Sequence, residues 1–157
     1  MKYNSENLWN DGDNRLTTAE VFKSIEDYVK NGGVIYIGTD SMLRHDQCKF
    51  ASVIAIHCND LKVANYFFKK KTVPANRYKI LQNKIFEEVD CSMQIAMECA
   101  KKFPEAKIEL HVDVGRTNRS KTRVYVESIK GWVTSMGYFF KIKPQSWASY
   151  IADWHSK

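Results

Sequence analysis

No stretch of this 157-residue chain approaches the ~20 consecutive apolar residues that a helix needs to cross a bilayer, so no membrane-embedded protein is expected. The opening segment, Met1 to Asn10, is polar and lacks the apolar centre of a signal peptide, which points away from secretion. Cysteine is sparse. Cys48, Cys58, Cys91 and Cys99 form no C-x-x-C pair and keep no zinc-finger spacing with the histidines, so a reduced, cytoplasmic protein is expected rather than a disulfide or zinc scaffold. Three prolines, seven glycines and the lack of any biased run leave no linker, and the length suits one domain over residues 1–157. Such a domain buries roughly two-thirds of the surface its unfolded chain exposes. Acidic residues are outnumbered, 18 against 24 Lys and Arg, for a net charge of +6. A basic surface attracts polyanions over about a Debye length, ~8 Å at physiological salt; ordinary solubility charge is the plain alternative.

Residues 1–16 read as an irregular lead-in. Asp11-Gly12-Asp13-Asn14 opens like a calcium loop but lacks its later ligands. Thr17-x-x-Glu20 is a capping-box pattern, and Val21, Phe22, Ile25, Tyr28 and Val29 recur at helical spacing until Asn31-Gly32-Gly33 stops the helix. Val34 to Thr39 has the both-sided apolar character of a central strand. Phe50 to His57 and Lys62 to Lys69 are two further strands, joined by the polar turn Cys58-Asn59-Asp60-Leu61. Pro74 breaks the pattern, and residues 77–102 form one long helix with Leu81, Ile85, Val89, Ser92, Ala96 and Cys99 along one stripe. Ile108, Leu110, Val112 and Val114 alternate with polar residues as a fourth strand. A helix follows at about 121–135, then a fifth strand from Tyr138 to Ile142, and Ser146 caps a last helix. The order α-β-β-β-α-β-α-β-α is that of an α/β protein.

Four acids occupy telling places in that order: Asp40 ending the first strand, Glu88 inside the long helix, Asp113 ending the fourth strand, and Asp153 in the last helix. Carboxylates at strand ends and on an inward helix face converge only if the strands are neighbours, and like charges held that close call for a neutralising cation, Mg²⁺ or Mn²⁺. Glu88 rather than Glu87 is the helical member, because at 100° per residue Glu88 lies beside the apolar stripe and Glu87 points away as a solvated acid. In two-metal phosphodiester hydrolysis one ion activates water and the other stabilises the leaving oxygen, about 4 Å apart, with a carboxylate between them. Asp40 is the expected bridge, Asp113 and Glu88 would hold one ion and Asp153 the other. Any one of these acids alone reads as a turn or cap residue; only the joint placement suggests a site.

Tyr36-Ile-Gly-Thr-Asp-Ser41, His111-Val-Asp-Val-Gly115 and Lys141-Ile-Lys-Pro-Gln-Ser-Trp-Ala-Ser-Tyr-Ile-Ala-Asp153 together resemble the YkuK family of RNase H-like proteins over roughly residues 34–157. The resemblance implies an RNase H-like fold: a five-stranded mixed sheet, three strands antiparallel and two parallel, flanked by helices, here with an extra N-terminal helix. It also implies a nuclease-like site at Asp40, Asp113 and Asp153, two ions being expected with substrate, and RNA or DNA as partner. The expectation is thus a metal-dependent nuclease. The alternative is an RNase H-like nucleic-acid-binding or assembly protein with weak or no catalysis; strand transfer, the third class, usually brings further DNA-binding domains.

Arg116, Arg119, Lys121 and Arg123, with Ser120 and Thr122, are placed to hold a phosphate backbone beside Asp113, near a helix start whose dipole would help. A solvated loop is the plain alternative. His111 and His155 stand near Asp113 and Asp153 as secondary candidates for orienting ligands or moving a proton, though satisfied structural histidines are the commoner case. Lys141 and Lys143 would flank the cleft, and Lys69-Lys70-Lys71 reads as an exposed strand end. Trp132, Trp147, Tyr150 and Trp154 could stack on unpaired bases, but the spacing of Trp147, Tyr150 and Trp154 favours one packed helix face.

Overall fold

The computed structural model describes residues 8–58, 63–117 and 120–157. The lead-in is not wholly irregular. Asp11 Oδ1 accepts from the backbone N–H groups of Asp13 and Asn14, closing a tight turn between β1 (Trp9–Asn10) and β2 (Arg15–Leu16). Trp9, fully buried, ties this hairpin to the core, and its Nε1 donates to Thr18 Oγ1 at 3.2 Å. Helix α1 (Thr18–Lys30) starts at the expected capping box: Thr17 Oγ1 accepts from Glu20 N, and Glu20 Oε1 accepts from Thr17 N.

Strand β3 (Ile35–Arg44) runs five residues past the predicted end, because a two-residue turn at His45-Asp46 folds β4 (Gln47–Cys58) straight back on it, with Arg44 facing Gln47. The segment Ser41–Arg44 therefore finds its backbone partners in a ladder. Strand β5 (Val63–Pro74) pairs along the whole of β4, which puts Lys69-Lys70-Lys71 inside a strand rather than at its end. The predicted turn at residues 58–61 lies mostly outside the described residues. A 3₁₀ turn, Asn76–Lys79, precedes α2 (Leu81–Lys102), and a short β6 (Ile108–His111) follows. A second 3₁₀ turn, Arg123–Tyr125, delays α3 to Val126–Ser135; Gly137, at φ +87°, then turns the chain into β7 (Phe139–Lys141). Helix α4 spans Trp147–Ser156.

Among the described residues the sheet has seven strands in the order β2-β1-β5-β4-β3-β6-β7, not five; the two extra strands are the short hairpin of the lead-in, too brief to carry a period. β3, β4 and β5 are antiparallel, while β6 and β7 run parallel to β3. Because side chains alternate across a strand, the sheet has two differently covered faces. Ile35 and Ile37 of β3, Ile54 and Ile56 of β4, and Ile108 and Leu110 of β6 join α1, α2 and α3 in the main core. Along the α2 stripe Ile85, Val89, Ser92, Ala96 and Cys99 are buried, but Leu81, at the start of the helix, is exposed. The other face carries α4 over a smaller cluster of Val53, Ala55 and Ala152. Among the described residues no helix is long and apolar enough to cross a membrane.

Candidate functional site

Asp40 sits in mid-strand, sixth in β3, rather than at its end. Its neighbours on either side point to the α2 face: Thr39 Oγ1 shares hydrogen bonds with Ser52 (2.9 Å) and Ser92 (2.8 Å), and Ser41 Oγ donates to Glu88 Oε1 at 2.8 Å. Asp40 itself points to the α4 face, where Ser156 Oγ donates to its Oδ2 at 3.0 Å. That contact depends on Gly38, two residues earlier on the same face. A Cβ there would meet the backbone of Ala148 and Ser149 at 2.7 Å, so α4 rests directly on the strand.

Asp113 lies two residues beyond β6, at the centre of a three-residue turn in which Val114 N donates to Val112 O at 2.9 Å. Parallel pairing with the β7 side persists past the strand ends, through Val112 N to Lys141 O and Lys143 N to Val114 O. This brings Lys143 Nζ to 3.0 Å from Asp113 Oδ1. The pair is close but poorly aligned for a hydrogen bond, and Asp113 Oδ1 is a buried oxygen with no hydrogen-bond donor.

Asp153 and Asp113 act on Asp40, and Asp40 and Asp113 act on Glu88. Burial, a proton-sharing contact with Asp153 and the charge of Asp113 push the Asp40 carboxyl up to about 7, against the opposing pull of Ser156 and Lys84. Glu88 goes up to about 8, first through burial, with Asp40 and Asp113 adding to it while Lys84 and Ser41 oppose. Three acids carry a lysine each: Lys84 on Glu88 (3.4 Å), Lys143 on Asp113 (3.0 Å) and Lys157 on Asp153 (3.2 Å). Burial alone would lower Lys143, but Asp113 more than offsets it and its pKa is raised. Among the described residues no three Asp, Glu, His or Cys side chains are drawn together at ion-ligating spacing. The donor set is nonetheless all oxygen, the kind a hard divalent ion takes.

Glu87 turns the other way, into an ion pair with Lys71 at 2.9 Å; it is half-buried rather than freely solvated. Lys84, Lys157, Ser41 and Ser156 went unrecognised in the sequence. The i, i+4 spacings Lys84–Glu88 and Asp153–Lys157 were the available signal for the lysines.

Of the other sequence candidates, the loop cations and the aromatics of α4 are placed differently from expectation, while the two histidines take the commoner structural role. Arg116 pairs with Glu127 of α3 at 2.8 Å, so it closes its own loop instead of reaching the acids. Lys121 is exposed ahead of the 3₁₀ turn and Arg123 is exposed as its first residue, both before the first turn of α3, and Arg119 lies outside the described residues. Ser120 and Thr122 bond to each other, and Thr122 Oγ1 accepts from Gly115 N, which uses up the hydroxyls inside the loop. His111 is a fastener. Its Nδ1 accepts from Ala148 N at 3.0 Å, which leaves the proton on Nε2, facing Glu109 Oε1 at 2.9 Å, and burial lowers its pKa. His155 meets the Tyr66 hydroxyl at 3.1 Å and stacks on Phe68 with ring centres 3.7 Å apart. Both rings are engaged structurally. Ser146 Oγ, the expected cap of α4, is buried without a partner. The aromatics of α4 do not share a packed face: Trp147 packs on Tyr36 and His111, whereas Tyr150 and Trp154 are exposed.

Comparison with known proteins agrees with this architecture. A family model described as Ribonuclease H-like matches residues 17–157. The chain is 25% identical over 162 residues, covering 91% of it and 92% of the relative, to "Uncharacterized protein YkuK" of Bacillus subtilis (strain 168). With the mixed sheet and its helical cover already in place, the chain belongs to the ribonuclease H-like family and is of the YkuK type.

Proposed function

We propose that this protein is a metal-dependent nuclease that hydrolyses phosphodiester bonds of RNA or DNA, acting as a single domain in the reducing cytoplasm. The observation that supports the reading is the pair of buried acids, Asp40 in the sheet beside Ser156 and Glu88 on α2 beside Ser41, pushed up to about 7 and about 8 by burial first and by the neighbouring acids after it. A family built around nucleic acid makes phosphate chemistry the natural use of such acids. Asp40, Glu88, Asp113 and Asp153 would hold Mg²⁺ or Mn²⁺, which when bound supplies an activated water and charge stabilisation at the leaving oxygen. Ser41 orients Glu88 and Ser156 orients Asp40. Lys84, Lys143 and Lys157 offset the charge of the acids, and Lys143 and Lys157, about half exposed, can also meet a phosphate.

Labelled RNA and DNA, single-stranded and duplex, incubated with Mg²⁺, Mn²⁺ or EDTA, test this. Cleavage with an ion, lost in EDTA and in Asp40→Asn, is expected; no cleavage of any substrate with either ion would sink the reading. A second reading, a nucleic-acid-binding or assembly protein without efficient catalysis, is favoured by the lysine pairing of Glu88, Asp113 and Asp153. It predicts retained binding and no cleavage.

A further inference from the structure

Helix α4 carries its residues in an unusual order of size. Ala148, Ser149, Ala152 and Ser156 are buried, because the close seat on Gly38 leaves room only for small side chains. Tyr150, Asp153, Trp154 and Lys157 stand at i, i+3, i+4 and i+7, so they form one continuous stripe. On that stripe Trp154 is 77% exposed, more than any other large apolar side chain described, and Tyr150 is 42% exposed. Leaving an indole in water forgoes a large burial gain, and neither ring is needed to hold the helix down. Cations flank the rings. Lys157 Nζ lies 5.4 Å from the Trp154 ring centre and 3.2 Å from Asp153, while Lys143, on Asp113, is within electrostatic reach of Tyr150. The stripe is therefore an aromatic shelf between two ammonium groups, continuous with the acid cluster through Asp153.

We infer that the outer face of α4 is a stacking platform for an unpaired stretch of nucleic acid, with bases on Trp154 and Tyr150 and phosphates on Lys157 and Lys143. This rests on the nucleic-acid reading above and adds the strandedness of the substrate. Flat apolar rings alternating with phosphates are what a single strand offers. In a duplex the base faces are already stacked on one another and only phosphates remain for such a surface. Stacking on a ring does not read the 2′-hydroxyl, so RNA and DNA single strands share the chemistry.

The test is binding of labelled oligo-dT, oligo-U and a blunt DNA duplex of equal length by anisotropy, in EDTA so that nothing is cut. Wild type should bind one or both single strands. Trp154→Leu should weaken that binding by roughly ten- to a hundredfold, the effect of losing one stacked base, while Trp154→Phe recovers most of it and duplex binding is unchanged. Single-strand affinity in Trp154→Leu equal to wild type, an equal loss on duplex, or a wild-type dimer that becomes monomeric in Trp154→Leu would each overturn the inference. Hydrolysis is not read, so an inactive protein can still pass. A protein that cuts single strands equally well with and without Trp154 would keep the nuclease reading and lose this one.

Discussion

Gly38→Ala should unseat α4 and weaken both the fold and the site. The added Cβ would lie 2.7 Å from Ala148 C and from Ser149 N, both backbone atoms that cannot rotate aside. Ordinary contact begins near 3.4 Å, so the helix must retreat by about 0.7 Å. The Ala148 N–H to His111 Nδ1 bond, now 3.0 Å, would then stretch beyond hydrogen-bonding range, leaving a buried donor and acceptor unsatisfied at a cost of ~1–3 kcal/mol. Overpacking of the surrounding contacts costs a further ~1–3 kcal/mol if the helix only partly yields. A net loss of about 2–6 kcal/mol follows, which at a urea slope of ~2 kcal/mol/M lowers the midpoint by roughly 1–3 M. The same retreat pulls Ser156 away from Asp40 and moves Asp153, so calorimetric titration should show weaker Mn²⁺ binding. Gly131→Ala in α3 is the control: nothing lies within 4 Å of its added methyl, and helix propensity should leave the midpoint unchanged or slightly raised. A Gly38→Ala protein with the wild-type midpoint and Mn²⁺ affinity would refute the seating of α4 on this strand.

Two further outcomes concern the acids themselves. In EDTA the Asp40 carboxyl is pushed up from 3.8 to about 7 by burial, Asp153 and Asp113, so the folded state holds the proton more tightly than the unfolded one. The associated stability is fully present below about pH 4 and is lost as pH rises through 7, with Glu88 prolonging the loss to about 8. At ~1.4 kcal/mol per unit, the rise in Asp40 corresponds to a loss on the order of a few kcal/mol across that range. Asp40→Asn, permanently neutral and still able to accept from Ser156, should therefore lose less stability than wild type between pH 5 and pH 8 in urea melts, and parallel profiles would disprove the linkage. Glu88→Gln should keep the Ser41 hydrogen bond but lose Mn²⁺ binding and ion-dependent cleavage, whereas Glu87→Gln should cost no more than ~1 kcal/mol, its part-exposed pair with Lys71, and leave cleavage intact. Equal behaviour of the two variants in single-turnover assays would remove Glu88 from the site.

The elements that could be read along the chain are those specified by neighbours in sequence. Thr17 and Glu20 meet within one turn, so the start of α1 was legible, and the alternation through Ile108, Leu110 and Val112 marked β6. The hairpin β1–β2 was not, because two residues cannot display a period and Trp9 is buried by strands and helices far along the chain. Ser41 to Arg44 does not read as strand because Gly38-Thr39-Asp40-Ser41 looks like a strand end; only the β4 partner, folded back at His45-Asp46, makes it strand and places Asp40 in mid-sheet. Tyr150 and Trp154 looked like core because large rings at helical spacing usually are. The missing side chain at Gly38 reverses that, by drawing α4 so close that only small residues fit beneath it.

Periodicity, caps and the spacing of the acids thus established an α/β chain with Asp40, Glu88, Asp113 and Asp153 as its candidate residues, since each of those signals is local. The state of those acids is not local. Lys143 reaches Asp113 only because β6 and β7 run side by side, and Ser156 reaches Asp40 only because α4 lies on β3. Contacts between groups that distant in sequence depend on which strands pair and how closely a helix can approach, and packing of the whole chain settles both.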